Sequence, residues 1–235
     1  MALPELNTAR YSIEIPSTGQ TVTYRPYLVK EEKILMMAME TNDQKVIMQS
    51  TIDVIKSCVD DIDDVENLAM FDIETLFLAL RAKSVGEKID LSMKCNDETC
   101  DMRTDVTVDF DEINLPVVSK DETTIMINDE VGVVMKYPSV KDVSRFSEAE
   151  EGVDSAMGMI MACIDTIFDK DDVYDSKNES KASLTKFVDS LSSVQFMKMT
   201  DFFNTMPAVN HNLTYKCSCG KDNEQELRGL QSFFT

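Results

Sequence analysis

The chain has 235 residues and a formal charge of −20 at neutral pH, from 23 Lys and Arg against 43 Asp and Glu. That excess repels a polyanion and no basic run offsets it, so nucleic acid is excluded as an expected partner. It does not imply disorder, because 43% hydrophobic residues with 11 Phe and 6 Tyr supply enough apolar surface for one large domain or two small ones.

Residues 11–15 and 21–25 alternate apolar and polar around Pro16-Ser17-Thr18-Gly19, which predicts a β-hairpin. Pro26 stops the second strand, and Val29 opens a helix with Glu31 and Glu32 in its first turn. A second helix from Asp43 places Val46, Ile47, Ile52, Ile55, Cys58 and Val59 on one face. A third begins within the acidic segment Asp60 to Glu66, carries Leu76, Phe77 and Leu80, and ends at Gly86. Residues 89–93 and 106–110 then alternate around a cysteine-bearing turn as a second hairpin.

The order recurs from residue 123. Residues 124–127 and 132–136 form a hairpin around Asn128-Asp129, and Tyr137-Pro138-Ser139-Val140-Lys141-Asp142 answers the Arg25 to Glu31 segment. A helix is predicted over Met157 to Phe168, an acidic loop over 169–180, and helices over 181–190 and 194–205. Leu213-Thr214-Tyr215-Lys216-Cys217 then parallels Leu91-Ser92-Met93-Lys94-Cys95, with Glu226-Leu227-Arg228 as the return strand. The expected fold class is α+β, an internally duplicated unit of β-hairpin, helices and β-hairpin, with halves 1–118 and 119–235. The longest apolar stretch, Met157 to Phe168, is interrupted by Asp165 and is too short to span a bilayer. The N-terminus lacks the basic start and apolar core of a secretory signal, so a cytoplasmic protein with reduced cysteines is expected.

No catalytic residue is assigned. The single histidine, His211, has no serine or cysteine motif around it, and none of the seven glycines opens a phosphate loop. The runs Asp60-Asp61-Asp63-Asp64 and Asp169-Asp171-Asp172 lack the central glycine and closing glutamate of a calcium loop and read as solvated loops. Cys95, Cys100, Cys217 and Cys219 carry the sharpest signal, one pair at the turn of each of two predicted hairpins. Brought together, they would make a closed four-thiolate site suited to structural Zn²⁺. C-x4-C and C-x-C spacings flank the usual two-residue knuckle, so free thiols and disulfides stay open beside zinc. Cys58 and Cys163 fall on apolar helical faces as core thiols. The 16 methionines serve core packing or an adaptable binding surface, and Leu230, Phe233 and Phe234 at the chain end either fold back onto the core or plug a partner.

Several segments resemble one family: the opening Met-Ala-Leu-Pro-Glu-Leu-Asn-Thr, Pro16-Ser17-Thr18-Gly19, Tyr24 to Lys33, Phe71-Asp72-Ile73-Glu74, Leu80 to Gly86, and Phe202 to Pro207. In this order, and at this length, they are similar to the baseplate hub subunit and hub assembly chaperone family of T4-like contractile-tailed phages. The resemblance implies a non-enzymatic structural or assembly protein of the tail hub. It implies other hub and tail proteins as partners, the host cytoplasm as the place of assembly, and the virion baseplate as the final location of a hub component. The four cysteines are not a uniform feature of that family. A zinc-stabilised adaptor or regulatory module is the alternative reading.

Overall fold

The computed structural model describes residues 7–147 and 153–233. Two compact units divide them: residues 7–65, 71–116 and 208–233 form unit 1, and residues 66–70 with 117–207 form unit 2. The C-terminal segment thus belongs with unit 1, not with the rest of the half 119–235.

Unit 1 begins with the predicted hairpin, β1 (Tyr11–Glu14) paired antiparallel with β2 (Thr21–Tyr24). Its turn closes through the Gly19 N–H on the Ile15 carbonyl at 2.8 Å, with Gly19 at φ +71°, a left-handed conformation that glycine adopts without strain. Ser17 donates from both N–H and Oγ to the fully buried carboxylate of Asp72, which ties this turn to the central helix.

After Pro26 the chain enters α1 (Val29–Glu40) as predicted. Glu31, only 3% exposed, accepts the Leu28 N–H at the helix start on one carboxylate oxygen and the Arg25 guanidinium on the other. Burial alone would raise its pKa, but Arg25 and the Leu28 N–H outweigh this and hold it below the ordinary glutamate range. A carboxylate depressed in the folded state stabilises above its unfolded pKa and loses that stabilisation as pH falls through the folded value. Glu31→Gln is therefore expected to cost about 2 kcal/mol near neutrality. In melting curves recorded from pH 7 down to pH 3, about the range over which carboxylates protonate, the gap between the two proteins should close.

Asp43 caps α2 (Gln44–Cys58) by accepting the Lys45 N–H, and Ile52, Ile55 and Cys58 are buried as expected, whereas Val46 is exposed. The acidic segment 60–66 does not start the next helix. It remains a partly exposed loop ending in a 3-10 turn, Val65–Asn67, with Val65 buried, and α3 (Met70–Ser84) starts only after it. Of residues 71–82 in α3 only Glu74 and Arg81 escape full burial, because this helix is covered on every side and forms the centre of unit 1.

Two seven-residue hairpins complete the unit: β3 (Lys88–Lys94) with β4 (Arg103–Asp109), and β9 (Asn210–Lys216) with β10 (Asp222–Arg228). They are separate two-stranded sheets. The alternation Ile89, Leu91, Met93 on β3 and Leu213, Tyr215 on β9 turns these side chains inward.

Unit 2 holds an antiparallel sheet ordered β5 (Thr124–Met126), β6 (Gly132–Met135), β7 (Ile164–Phe168) and β8 (Val173–Asp175), with helices α4 (Val140–Ser147), α5 (Val153–Ala162), α6 (Lys181–Asp189) and α7 (Ser193–Asn204). Its core gathers Val133, Met135, Ile160, Cys163, Ile164, Val188, Met199 and Phe202. The helix predicted over Met157 to Phe168 ends at Ala162. The β-branched residues Ile164, Thr166 and Ile167 form strand instead, paired with β6 on one side and β8 on the other. The acidic loop after it is largely a hairpin turn: Asp169 accepts the N–H groups of Asp171 and Asp172 on its side chain and bonds the Asp172 carbonyl through its own N–H. Since β7 and β8 have no counterpart in the first half, the element order is not a plain repeat.

Candidate metal centre

Each cysteine pair is set by local turn chemistry. In the loop after β3, the Cys95 N–H bonds the Met102 carbonyl at 3.1 Å and the Cys100 N–H bonds the Asp97 carbonyl at 2.9 Å. The Asp97 side chain braces the loop by accepting from Thr99 N–H and Oγ1. In the shorter turn after β9, the Cys217 N–H bonds the Lys221 carbonyl and the Gly220 N–H bonds the Cys217 carbonyl. Gly220 sits at φ +94°, so the C-x-C-G turn needs glycine at its fourth position.

These turns bring all four sulfurs together. Cys95 Sγ lies 3.7 Å from Cys219 Sγ and Cys100 Sγ 3.9 Å from Cys217 Sγ, and every pair is within 4.8 Å. A tetrahedron with zinc–sulfur bonds of about 2.3 Å has edges of about 3.8 Å, so the donor set has the size of a tetrathiolate zinc site. The two close pairs each join one hairpin to the other. Among the described residues this is the one cluster of three or more His, Cys, Asp or Glu side chains that could hold a metal.

The surroundings are built for these sulfurs. Asn223, 4% exposed, accepts the Asn96 N–H at 2.9 Å and contacts Cys95 Sγ at 3.6 Å through Oδ1, while its Nδ2 donates to the Lys221 carbonyl. One buried amide thereby links both turns to the cluster. Tyr215 donates its hydroxyl to the Lys94 carbonyl, a second bond between the hairpins. Lys94, Lys216 and Lys221 pair with Asp101, Asp222 and Asp97 in the two turns that carry the cysteines.

The thiols share that charge unequally. The Cys219 N–H, together with donation from neighbouring thiols, draws the Cys217 thiol down to about 6. The Met102 N–H pulls Cys100 the same way, but desolvation and donation to the other sulfurs outweigh it and push Cys100 up to about 12. Cys219 is also raised: the Lys221 N–H lowers it, and its bond to Cys217 with desolvation prevails. Capture of a cation by all four sulfurs thus displaces protons. Cys58 and Cys163 behave differently. Both are buried in apolar surroundings, which raises them to about 11 and about 12, and neither belongs to the cluster.

The other sequence candidates take structural places. His211 Nδ1 is hydrogen-bonded to the Glu112 carbonyl at 2.9 Å. Leu230 and Phe233 are buried in unit 1, the fold-back arrangement, and Phe234 lies outside the described residues, as does the chain opening. The methionines divide between core and surface: Met93, Met135 and Met199 are buried, whereas Met36, Met37, Met39 and Met197 are exposed. Sequence reasoning missed Asn223, since an Asn in a polar strand carries no signal that it is buried beside a cysteine-bearing turn. Among the described residues no helix is long and apolar enough to cross a membrane.

No curated protein and no solved structure matches the chain significantly. A family model described as T4 bacteriophage base plate protein matches residues 8–235. With nearly the whole chain matched across both units, this is a structural protein of the phage tail baseplate that works among other tail proteins, and it belongs to the T4 bacteriophage base plate protein family.

Proposed function

We propose that the chain is a component of the baseplate hub. It binds other hub and tail proteins while the baseplate is built in the host cytoplasm, stays in the virion tail, and holds a structural Zn²⁺ at Cys95, Cys100, Cys217 and Cys219. The observation that supports a baseplate role is the family match over 8–235, and the hub position within it rests on the resemblance of named segments. Within the family, the opening residues and Arg25 to Lys33 resemble the hub subunit more than the assembly chaperone. The role is non-enzymatic, and a closed four-thiolate site, which leaves no coordination position for a substrate, is in keeping with it. The two cysteine hairpins are read as copies of one ancestral unit, on the shared Lys-Cys entry at Lys94-Cys95 and Lys216-Cys217.

Affinity purification from cells expressing the tail genes should recover hub proteins with the chain, and mass spectrometry of purified virions should detect it. Absence from virions that cannot assemble without it would reassign it as an assembly chaperone. Zinc-dependent binding to a protein outside the tail, with no tail protein bound, would favour the adaptor reading. Metal analysis after purification without chelator should give about one zinc per chain, and less than about half an equivalent would end the zinc assignment.

A further inference from the structure

Unit 2 contains a cleft of about 350 Å³ between the β7–β8 edge of its sheet and α6. Ile167, Phe168, Leu184 and Phe187 form its apolar lining, all only half-buried. Phe168 is held flat there because its register partner is Gly132, where a Cβ would meet the ring at 2.2 Å. The rim is acidic: Asp169 and Glu179 both line the opening. Asp169 stays ionised because the N–H groups of Asp171 and Asp172 hold its carboxyl below the usual aspartate range. The nearby Lys170 is engaged by Glu130 at 2.5 Å.

The strand beside the cleft is also open. β8 is the edge of the sheet, and all three of its residues are exposed, Val173 at 74%. A bare sheet edge is a template for an added strand. Tyr174 is in register with Ile167, and both side chains line the cleft. In a strand added along β8, the residue opposite Tyr174 would therefore point into the cleft. Residues two positions to either side would emerge on the same face, the one whose cleft Asp169 and Glu179 line. A second copy of this chain is a poor occupant, because two bodies of charge −20 repel.

We infer that this edge and cleft receive an extended segment of another baseplate protein, with an aromatic or branched apolar side chain in the cleft and Lys or Arg two residues to either side of it. The inference rests on the proposed binding role among tail proteins, and it names the surface and the partner chemistry. Charge complementarity decides the sign of the flanking residues, and the half-exposed apolar lining decides the residue between them.

The probe is a capped heptapeptide, Thr-Lys-Thr-Phe-Thr-Lys-Thr, titrated into the full chain and followed by amide chemical shifts at low salt. Shifts should concentrate at residues 166–175 and 179–187. Affinity should fall by about tenfold or more when serine replaces the phenylalanine, and by as much when glutamate replaces the lysines. Glu179→Lys, at an exposed side chain, should weaken binding about fivefold or more with unchanged melting, and Leu184→Ser, at a half-buried one, should weaken it as much with only a small fall in melting temperature. Equal binding of all three peptides, shifts spread equally to the acidic loop at 60–66, or no shifts at all would overturn the inference. The baseplate reading fails separately: a peptide that binds as described, with no tail protein recovered by the chain, keeps the cleft and removes the hub.

Discussion

Replacing Cys95 or Cys217 with serine, or stripping zinc from the wild-type chain with a chelator, is expected to lower the melting temperature of unit 1 by about 10 °C, on the order of 3 kcal/mol. The size follows from how little else holds the two cysteine hairpins together. Each is a two-stranded sheet, marginal by itself in water, and no strand ladder joins one to the other. At the base, Asn114 and Asn210 exchange a pair of backbone hydrogen bonds, but toward the tips the buried connection is made by sulfur, Asn223 and Tyr215, with only exposed contacts such as Lys221–Asp97 and Asn96–Glu224 beside them. A metal joining sulfurs more than 100 residues apart in sequence adds its binding energy to folding, because the unfolded chain has no such site. Serine is nearly isosteric with cysteine but a poor zinc ligand. Hydrogen exchange gives the sharper test. Amides of residues 95–102 and 214–224 should lose protection without zinc, while Asn210 and Leu230 keep theirs. Cys58→Ala, outside the cluster, should retain the metal. Melting and exchange unaltered by chelation of a zinc-loaded sample would show that the hairpins hold without it.

The parts of this fold legible in the sequence were those with local causes. Pro16 to Gly19, Asp43 and Gly86 mark a turn, a helix cap and a helix end through their own backbone chemistry, and each stands where it was expected. The α+β class followed from the same signals. Legibility failed where a long-range partner decides. Ile164 to Phe168 continues the helical spacing of α5, yet it has β6 and β8 to pair with, and the ladder prevails over periodicity. The acidic segment 60–66 looks like a helix start, but the buried helix α3 begins only at Met70, within reach of the core. For the cysteine cluster, a pair of Cys at the turn of each of two hairpins was visible, and what brings the two turns together was not. It depends on residues 208–233 joining unit 1, a choice made by buried contacts that no spacing encodes.

Those contacts support the second large effect. Phe233→Ala is expected to destabilise unit 1 by about 3–4 kcal/mol, the usual cost of emptying a fully buried phenylalanine site. Phe233 is 1% exposed and Leu230 8%, in a 3-10 turn that closes the described chain. The turn is latched to α3: Glu74 accepts the Leu230 N–H at 3.1 Å, and the Gly229 N–H bonds the Val209 carbonyl. Gly229 is at φ +73°, where any side chain is strained, and a Cβ there would stand 3.1 Å from Glu74 Oε1 and press on the latch. Burial raises the Glu74 pKa despite its backbone donors. A carboxyl raised in the folded state favours folding at low pH and withdraws that support as pH climbs through the folded value, the reverse of Glu31. Glu74→Gln keeps an acceptor for Leu230 without the buried charge, so it should lose less stability than wild type between pH 5 and pH 8, about the window above the unfolded glutamate pKa. Phe233→Ala should show no such pH dependence, only a lower melting temperature throughout. If Phe233→Ala instead melted like wild type and failed to bind a hub protein, the aromatic end would be a plug for a partner and its burial in unit 1 of little energetic weight.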